Sequence, residues 1–266
     1  MTEQPLLTEV MALMQQVGSD QLRAFRSLPP GGGTEKEARE FVSAVDVHSE
    51  QRLIEGLQQL VPEAGIYGEE TGTSGDERLR WVIDPLDGTT NFLSGLDQFA
   101  ISVALEEQGQ AVLGAVLRPA SAEWFTACRG SGLRHNNDNC PRVTDLPLRQ
   151  ALLGTGFPYR SEDLKGAFFP CAEEVLYRSR GLRRFGSAAL DLCYVARGFL
   201  QGFWESDLQP YDVAAARLFL AETGCLATNQ RGEPYSPYRD RILVCGSPAV
   251  HAELLTIVAR HYPADC

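Results

Sequence analysis

The most informative segment of the sequence is residues 81–92, which read Trp81-Val82-Ile83-Asp84-Pro85-Leu86-Asp87-Gly88-Thr89-Thr90-Asn91-Phe92. The apolar run at its start predicts a short buried strand that ends at Asp84, where a loop begins. Pro85 fixes the backbone φ angle, and Gly88 permits a tight turn or the close approach of a ligand. The segment can therefore direct two carboxylates, those of Asp84 and Asp87, at a single point.

Two interpretations of this segment remain open from its own residues. Hard cations such as Mg²⁺ prefer oxygen ligands, and the backbone carbonyl of Leu86 adds a third oxygen between the two carboxylates. Asp, Pro and Gly are also frequent turn formers, so the same residues are typical of a simple turn. Whether the segment is a cation site or a turn depends on the rest of the chain.

Two further acidic segments favour the cation site. Gly68-Glu69-Glu70 precedes the strand, and Asp212 follows Pro210 at the start of a helix rich in small residues. Each segment alone has a plainer interpretation, since paired glutamates usually lie on a solvated face and an N-terminal Asp often caps a helix. It is their combination with residues 84–87 that indicates a functional site.

Composition and charge exclude several classes of protein. The 266 residues, 44% hydrophobic and 22% charged, are typical of a globular chain of one large domain or two small ones. The formal charge of −11 disfavours a generic nucleic-acid or anionic-membrane binder. An acidic protein that acts on a phosphate ester needs bound cations to reverse its local field.

The targeting and cysteine signals predict a cytoplasmic protein. No apolar run approaches the roughly 20 residues of a membrane span, and the N-terminus lacks the basic start of a secretory signal. Seven cysteines without a CxxC pair predict reduced thiols instead of disulfides or a zinc site. The four histidines lie outside all three acidic segments, and we interpret them as surface or structural residues.

The hydrophobic periodicity predicts an α/β (α+β) layered fold, as one compact unit or two tightly joined halves. Helices are predicted over residues 5–28, before the run Pro29-Pro30, and over 46–60, 211–222 and 248–260, with a further helix after Ser187. Strands are predicted over residues 80–83, 98–106, 111–117, 122–127 and 242–244.

The motifs resemble those of a known family. Asp84-Pro85-Leu86-Asp87-Gly88-Thr89-Thr90-Asn91-Phe92 matches one signature of the inositol monophosphatase family of Mg²⁺-dependent, lithium-sensitive phosphatases. Pro210-Tyr211-Asp212-Val213-Ala214-Ala215 matches the other, with Tyr211 where Trp is usual. The resemblance covers nearly the whole chain. It implies the αβαβα sandwich of the inositol monophosphatase and fructose-1,6-bisphosphatase type, a single domain over 1–266 with halves of about 1–145 and 146–266, and a homodimer.

The resemblance also implies a role for each matching residue. Two to three Mg²⁺ ions per subunit would be held by Glu69, Asp84, the carbonyl of Leu86, Asp87 and Asp212. Glu69 and Thr89 would position and activate the attacking water. The substrate would be bound by Asp87, Gly88, Thr89, Gly186, Ser187, Ala188, Glu205 and Asp212. Asp46 would support the metal site from behind. Lys36 would lie on a mobile loop on the side of the cavity that holds the metal ions.

The implied activity is hydrolysis of myo-inositol monophosphate, and of related polyol or sugar phosphates, by direct attack of a metal-activated water. Other substrates of this family remain alternatives: fructose 1,6-bisphosphate, phosphoadenosine phosphate and histidinol phosphate. A second alternative is a binding partner of RNA-polymerase antitermination factors with secondary phosphatase activity. The expected partners are a small phosphorylated polyol, a second copy of the chain and a transcription factor, with no membrane and no direct nucleic acid.

Overall fold

The structure is a computed structural model that describes residues 3–27, 34–37 and 40–264, without the side chains of 35–37 and 40–42. The helices are α1 Glu3–Ala24, α2 Ala44–Leu60, α3 Thr89–Leu93, α4 Lys165–Arg178, α5 Ala188–Arg197, α6 Pro210–Thr223 and α7 Pro248–His261. The strands are β1 Thr34–Glu37, β2 Glu40–Val42, β3 Gly65–Gly68, β4 Gly72–Ser74, β5 Leu79–Asp87, β6 Ala100–Glu107, β7 Gln110–Arg118, β8 Glu123–Cys128, β9 Arg134–His135, β10 Asp138–Asn139, β11 Leu152–Thr155, β12 Gly181–Arg183, β13 Gly202–Ser206, β14 Leu226–Thr228 and β15 Ile242–Gly246.

Two large sheets organise these elements, beside a small hairpin of β1 and β2. The first has eight strands in the order β10-β9-β8-β7-β6-β5-β3-β4, and the second has five in the order β12-β11-β13-β15-β14. In the first sheet β3 and β5 run parallel and the other neighbouring strands antiparallel. In the second, β11 runs parallel to both β12 and β13.

The alternation of side chains along the strands produces five layers. In β5, Trp81 and Ile83 pack against α1 and α2, whereas Val82 faces the opposite side of the sheet, toward α5 and α6. In β13, Phe203 faces α5 and α6, whereas Trp204 packs with α4 and α7. The order is therefore helix pair, sheet, helix pair, sheet, helix pair, which confirms the predicted αβαβα sandwich.

The central layer, α5 and α6, is covered by a sheet on each side, and its residues are correspondingly small and apolar. Val213, Ala214, Ala215 and Ala216 of α6 are all buried. A Cβ atom added at Gly114 of β7 would lie 3.2 Å from the Cα of Ala215, so a larger residue there would push helix and sheet slightly apart. The same helix carries Asp212 in its first turn.

Several predicted boundaries are corrected by the structure. The first helix ends at Ala24 instead of continuing to residue 28, and the run Pro29-Pro30 lies outside the described residues. The second helix begins at Ala44, because Ser43 and Asp46 form a capping box at its start. The predicted strand at 80–83 continues as β5 to Asp87, with a shift in its pairing to β6 between Asp84 and Asp87.

Other expectations concern membranes and cysteines. Of the helices in the described part of the chain, none combines the length and apolar character needed to cross a bilayer. The six described cysteines are free thiols, and Cys266 lies outside the described residues.

Candidate active site

Three aspartates converge where β5 ends and α6 begins. Asp84 and Asp87 lie at the end of β5, and the irregular pairing between them turns the chain out of the sheet. Asp212 lies in the first turn of α6. One carboxylate oxygen from each of the three lies within 4.8 Å of the others, and all three residues are buried.

The electrostatics of this cluster indicate a cation site. Burial, followed by the charges of Glu69, Asp87 and Asp212, raises the pKa of Asp84 well above its usual value. Burial and the charge of Asp212 raise the pKa of Asp87 to about 7, against the lowering effect of its hydrogen bonds. Buried like charges repel unless a cation compensates them, and clustered carboxylate oxygens are the ligands that Mg²⁺ prefers. The donor set therefore fits a hard divalent cation.

The backbone between Asp84 and Asp87 is held from two directions. The Leu86 amide donates to Asp84 Oδ1 at 3.0 Å. The buried Gln21 of α1 donates through Nε2 to the Pro85 carbonyl at 2.7 Å and to Ser49 Oγ at 3.1 Å. No sequence motif pointed to Gln21, because its contact with Pro85 depends on how α1 packs across the sheet.

Gly88 allows the chain to pass between two other segments. Its φ angle is +97°, in the left-handed region, and an added Cβ would lie 2.8 Å from the carbonyl oxygen of Gln98 and 3.3 Å from that of Gly186. A side chain at this position would be strained by the φ angle and would also collide with neighbouring backbone. The tight turn predicted from the sequence at this residue is therefore present.

Thr89 and Asp46 are directly connected. Thr89 Oγ1 lies 2.8 Å from Asp46 Oδ1 and 3.1 Å from the carbonyl oxygen of Leu86. The other carboxylate oxygen of Asp46 accepts hydrogen bonds from the amide and hydroxyl of Ser43 at the start of α2. The fully buried Asp46 thus joins the beginning of α2 to the end of β5, behind the aspartate cluster.

Glu69 follows β3, which lies beside β5 in the sheet. Its amide donates to the carbonyl of Ile83 at 3.2 Å, which extends the parallel pairing of the two strands by one residue. The next two amides, of Glu70 and Thr71, donate to the buried carboxylate of Glu50 at 2.9 and 2.7 Å. Glu50, which the sequence analysis missed, therefore fixes the backbone that carries Glu69.

The start of α5 is hydrogen-bonded to Asp87. Asp87 Oδ2 accepts hydrogen bonds from Ser187 Oγ at 2.5 Å and from the Ala189 amide at 2.7 Å. Ser187 is also the N-cap of α5. Asn91 donates to the carbonyls of Gln98 and Phe185 at 2.7 and 2.8 Å, which holds the loop before Gly186 against α3.

A cavity of about 420 Å³ opens between the two sheets at these residues. Its walls include the following residues that were predicted from the sequence: Glu69, Asp84, Leu86, Asp87, Gly88, Thr89, Gly186, Ser187, Ala188, Glu205 and Asp212. Asp46 lies behind the wall, in contact with Thr89. Lys36 belongs to β1, and its side chain lies outside the described residues.

The cavity also contains residues that the sequence analysis did not select. Arg160 lies 3.4 Å from Asp212, and the guanidinium of Arg184 lies over the rings of Phe157 and Tyr159 at 5.7 and 5.4 Å from their centres. The buried Asp191 lies on the first turns of α5. Arg184 and Asp191 lie close in sequence to Gly186, which was predicted to bind the substrate. That closeness is the signal by which they could have been selected.

Comparisons with known proteins agree with this geometry. The model of the inositol monophosphatase family matches residues 3–262. The chain is 36% identical to an inositol-1-monophosphatase of Rhizobium meliloti, over 99% of this chain and 100% of that protein. It is 35% identical to the Nus factor SuhB of Pseudomonas aeruginosa, with 98% of each chain covered. The crystal structure of the extragenic suppressor protein suhB from Bartonella henselae superposes with a TM-score of 0.90 at 33% identity, covering 97% of this chain and all of that one.

Proposed function

The chain belongs to the inositol monophosphatase family, and from this premise we propose that it is a Mg²⁺-dependent phosphomonoesterase. Its proposed substrate is myo-inositol monophosphate, together with related polyol or sugar phosphates. The observation that carries the proposal is the convergence of Asp84, Asp87 and Asp212 on one wall of a cavity large enough for a small phosphorylated alcohol.

The proposed metal ligands are the carboxylates of Glu69, Asp84, Asp87 and Asp212 and the carbonyl of Leu86, for two to three Mg²⁺ ions per subunit. When bound, the ions supply Lewis acidity, which lowers the pKa of water and balances charge on the phosphoryl and leaving oxygens. The raised pKa values of Asp84 and Asp87 support this assignment, because an excess of buried negative charge favours cation binding.

Glu69 and Thr89 are the proposed catalytic residues, and both line the cavity. The hydroxyl of Thr89 donates toward Asp46 and the Leu86 carbonyl, which leaves the lone pairs of Thr89 Oγ1 to accept a hydrogen bond from a water molecule and so to orient it. Glu69 is the proposed acceptor of the proton that this water loses. Water then attacks phosphorus directly as the ester P–O bond breaks, and the proton taken up by Glu69 is passed to the leaving oxygen, so that phosphate and the neutral alcohol are released.

The substrate contacts divide between its two parts. The backbone amides of Gly88 and Thr89 are proposed to bind the phosphate. Gly186, Ser187, Ala188 and Glu205, together with Asp87 and Asp212, are proposed to bind the alcohol. Burial and the charge of Asp212 raise the pKa of Glu205 to about 8, so its carboxyl is suited to exchange hydrogen bonds with hydroxyl groups.

The domain organisation, the oligomeric state and the cellular location are also proposals. A hydrophobic core shared by strands of both sheets with α5 and α6 supports a single domain over residues 1–266, with halves of about 1–145 and 146–266. A homodimer in the cytoplasm remains our expectation from the family resemblance.

A second candidate function is a binding role in transcription, with phosphatase activity secondary. It is favoured by the 35% identity to a protein that is itself a Nus factor. The complete set of acidic cavity residues favours catalysis over a purely binding role.

The deciding experiment measures phosphate release from inositol 1-phosphate with Mg²⁺, with and without Li⁺, for the wild type and Asp87→Asn. We expect the wild type to be active and inhibited by Li⁺, and the variant to lose at least about a hundredfold in kcat/KM, because one ligand carboxylate is neutralised. Equal, slow release by both proteins would remove the enzymatic proposal and favour the transcription role. Parallel assays with fructose 1,6-bisphosphate, phosphoadenosine phosphate and histidinol phosphate would rank the alternative substrates.

A further inference from the structure

One residue of the cavity wall has a backbone conformation that costs free energy. Asp207 lines the cavity between Ser206 and Leu208, and its φ angle is +55°, in the left-handed region. Aspartate adopts this region more readily than most residues, but at a cost that glycine avoids. Such conformations persist where the surrounding contacts enforce them. The contacts of Asp207 therefore outweigh the cost of its backbone.

The carboxylate of Asp207 is held by two other side chains. Both of its oxygens accept hydrogen bonds from Arg241, from Nε at 2.8 Å and from Nη2 at 2.7 Å. Its Oδ2 also accepts one from the hydroxyl of the fully buried Ser161, at 2.5 Å. A bidentate guanidinium pair fixes direction as well as distance. The carboxylate is therefore held in one orientation.

Both of these side chains connect Asp207 to the segment between β11 and α4. Ser161 belongs to that segment. Arg241 binds it through Asp163, whose carboxylate oxygens lie 2.8 and 3.1 Å from Nη1 and Nη2. Three further residues of the segment line the cavity: Phe157, Tyr159 and Arg160. Asp207 therefore joins two neighbouring parts of the cavity wall.

Asp207 also lies in the turn between two residues that are proposed to bind the metal ions and the substrate. Glu205 lies two residues before it in β13, and Asp212 lies five residues after it in α6. Gln209 donates through its side chain to the Asp207 carbonyl at 3.3 Å and through its amide to Asp212 Oδ2 at 2.7 Å. A displacement of the turn at Asp207 would therefore be passed to the carboxylate of Asp212.

We propose that Asp207 is a positioning residue that holds the turn between β13 and α6 against the segment between β11 and α4, and so orients Asp212 for metal binding. This inference rests on the proposed function and adds to it a residue that acts through Asp212. A group that orients a metal ligand contributes to metal affinity without binding the ion itself. The contribution comes from the Asp207 side chain, because its backbone conformation alone is more favourable for glycine.

The test measures Mg²⁺ affinity by calorimetry for the wild type, Asp207→Gly and Asp207→Asn. Glycine adopts a φ angle of +55° without strain, so Asp207→Gly removes the side-chain contacts and keeps the backbone conformation accessible. We expect its Mg²⁺ affinity to fall by about tenfold. Asparagine tolerates the same conformation and keeps an oxygen for Ser161, so Asp207→Asn should recover part of the loss. The Mg²⁺ concentration for half-maximal hydrolysis of inositol 1-phosphate should rise in parallel.

The matched control is Gln108→Gly. Gln108 also has a positive φ angle, of +52°, but it lies exposed in the turn between β6 and β7. The variant relieves the same kind of strain without removing a contact of the cavity wall, so its Mg²⁺ affinity should equal that of the wild type.

A second experiment tests Asp207 and Arg241 as a pair. Arg241→Gln should also weaken Mg²⁺ binding, because it releases the Asp207 carboxylate from its bidentate partner. If the two residues act together, the double variant should lose little more Mg²⁺ affinity than either single variant. Losses that simply add would overturn the paired role.

The outcomes separate this inference from the proposed function. A lower Tm for Asp207→Gly with the Mg²⁺ affinity of the wild type would show that Asp207 only stabilises the fold, and it would overturn the inference while the phosphatase proposal remains. An equal loss of affinity in Gln108→Gly would do the same. A wild-type protein that neither binds Mg²⁺ nor hydrolyses the ester would overturn both.

Discussion

Thr89 Oγ1 lies 2.8 Å from Asp46 Oδ1, and Asp46 in turn caps the start of α2 through Ser43. The pair therefore connects α2, which packs on one face of the eight-stranded sheet, to the cavity between the two sheets. The Thr89 hydroxyl donates toward Asp46 and the Leu86 carbonyl, which leaves its oxygen to accept hydrogen bonds from the cavity side.

This geometry predicts the effect of removing the Thr89 hydroxyl. Thr89→Ala should lower kcat by about a hundredfold or more, the usual contribution of a positioned proton-transfer group, with a small change in KM. Thr89→Ser keeps the hydroxyl and should retain most of the activity. Steady-state kinetics of the two variants provide the measurement, and equal activity of Ala and Ser at this position would contradict the role of the hydroxyl.

The buried carboxylate of Glu50 predicts an indirect effect on metal binding. Glu50→Gln replaces an acceptor for two amides by a group with a single acceptor oxygen, so the backbone that carries Glu69 should loosen. Mg²⁺ affinity, measured by calorimetry, should fall by about tenfold, as for other groups that orient metal ligands.

The control for that variant is Glu55→Gln, on the exposed side of the same helix. It removes the same charge from α2 without touching the loop at Glu69. If both variants weaken Mg²⁺ binding to the same extent, overall charge and not backbone support explains the loss.

Stability should depend on pH in a direction set by the acidic cavity. Asp87 has a pKa of about 7 and Glu205 of about 8 in the folded protein, above the ordinary values of 3.8 and 4.5. Between the ordinary pKa values and the raised ones, the metal-free folded state therefore binds more protons than the unfolded state. Its free energy of unfolding should decrease as the pH rises from about 4 to about 8.

Bound as proposed, Mg²⁺ should reverse this trend, because it would bind the deprotonated carboxylates and displace their protons. Thermal unfolding at pH 6 and pH 8, with EDTA or with Mg²⁺, tests the prediction. The increase in Tm on adding Mg²⁺ should be larger at pH 8. An increase that is the same at both pH values would argue against the raised pKa values.

A side chain at Gly88 would be strained by the positive φ angle and would also collide with the carbonyl oxygen of Gln98. Gly88→Ala should abolish most activity and destabilise the protein by more than about 1 kcal/mol, the cost of a side chain at positive φ alone. Gly109→Ala is the matched control, because Gly109 has a φ angle of +75° but no atom within 4 Å of an added Cβ. Urea unfolding of both variants separates the two effects, and equal destabilisation would mean that the contact with Gln98 is unimportant.

Much of the fold was predictable because the decisive signals are local. Strand β5 follows from a continuous apolar run before Asp84, and the end of α6 follows from Gly224, which adopts a φ angle of +80°. The αβαβα layering followed from the family resemblance, and the structure confirms it. The convergence of the three aspartates was an expectation of that resemblance, and the structure brings them together.

The remaining features depend on contacts that no local pattern records. Strand β11 is only four residues long and includes a glycine, so its sequence resembles a loop. Gln21 and Glu50 lie on helices whose polar residues would ordinarily face water, and only packing against the sheet shows that both are buried. The helix predicted to reach residue 28 ends at Ala24 although apolar residues continue, which shows that periodicity locates a helix better than it locates its end.

The placement of α5 and α6 between the two sheets has a consequence for how activity can arise. Ser187 and Asp212 each lie at the start of one of these helices, and Asp84 and Asp87 come from the eight-stranded sheet. A chain in which only one sheet had formed would hold an incomplete set of acidic groups. The proposed hydrolysis would thus require the fully assembled molecule, and its loss in denaturant should coincide with global unfolding and not precede it.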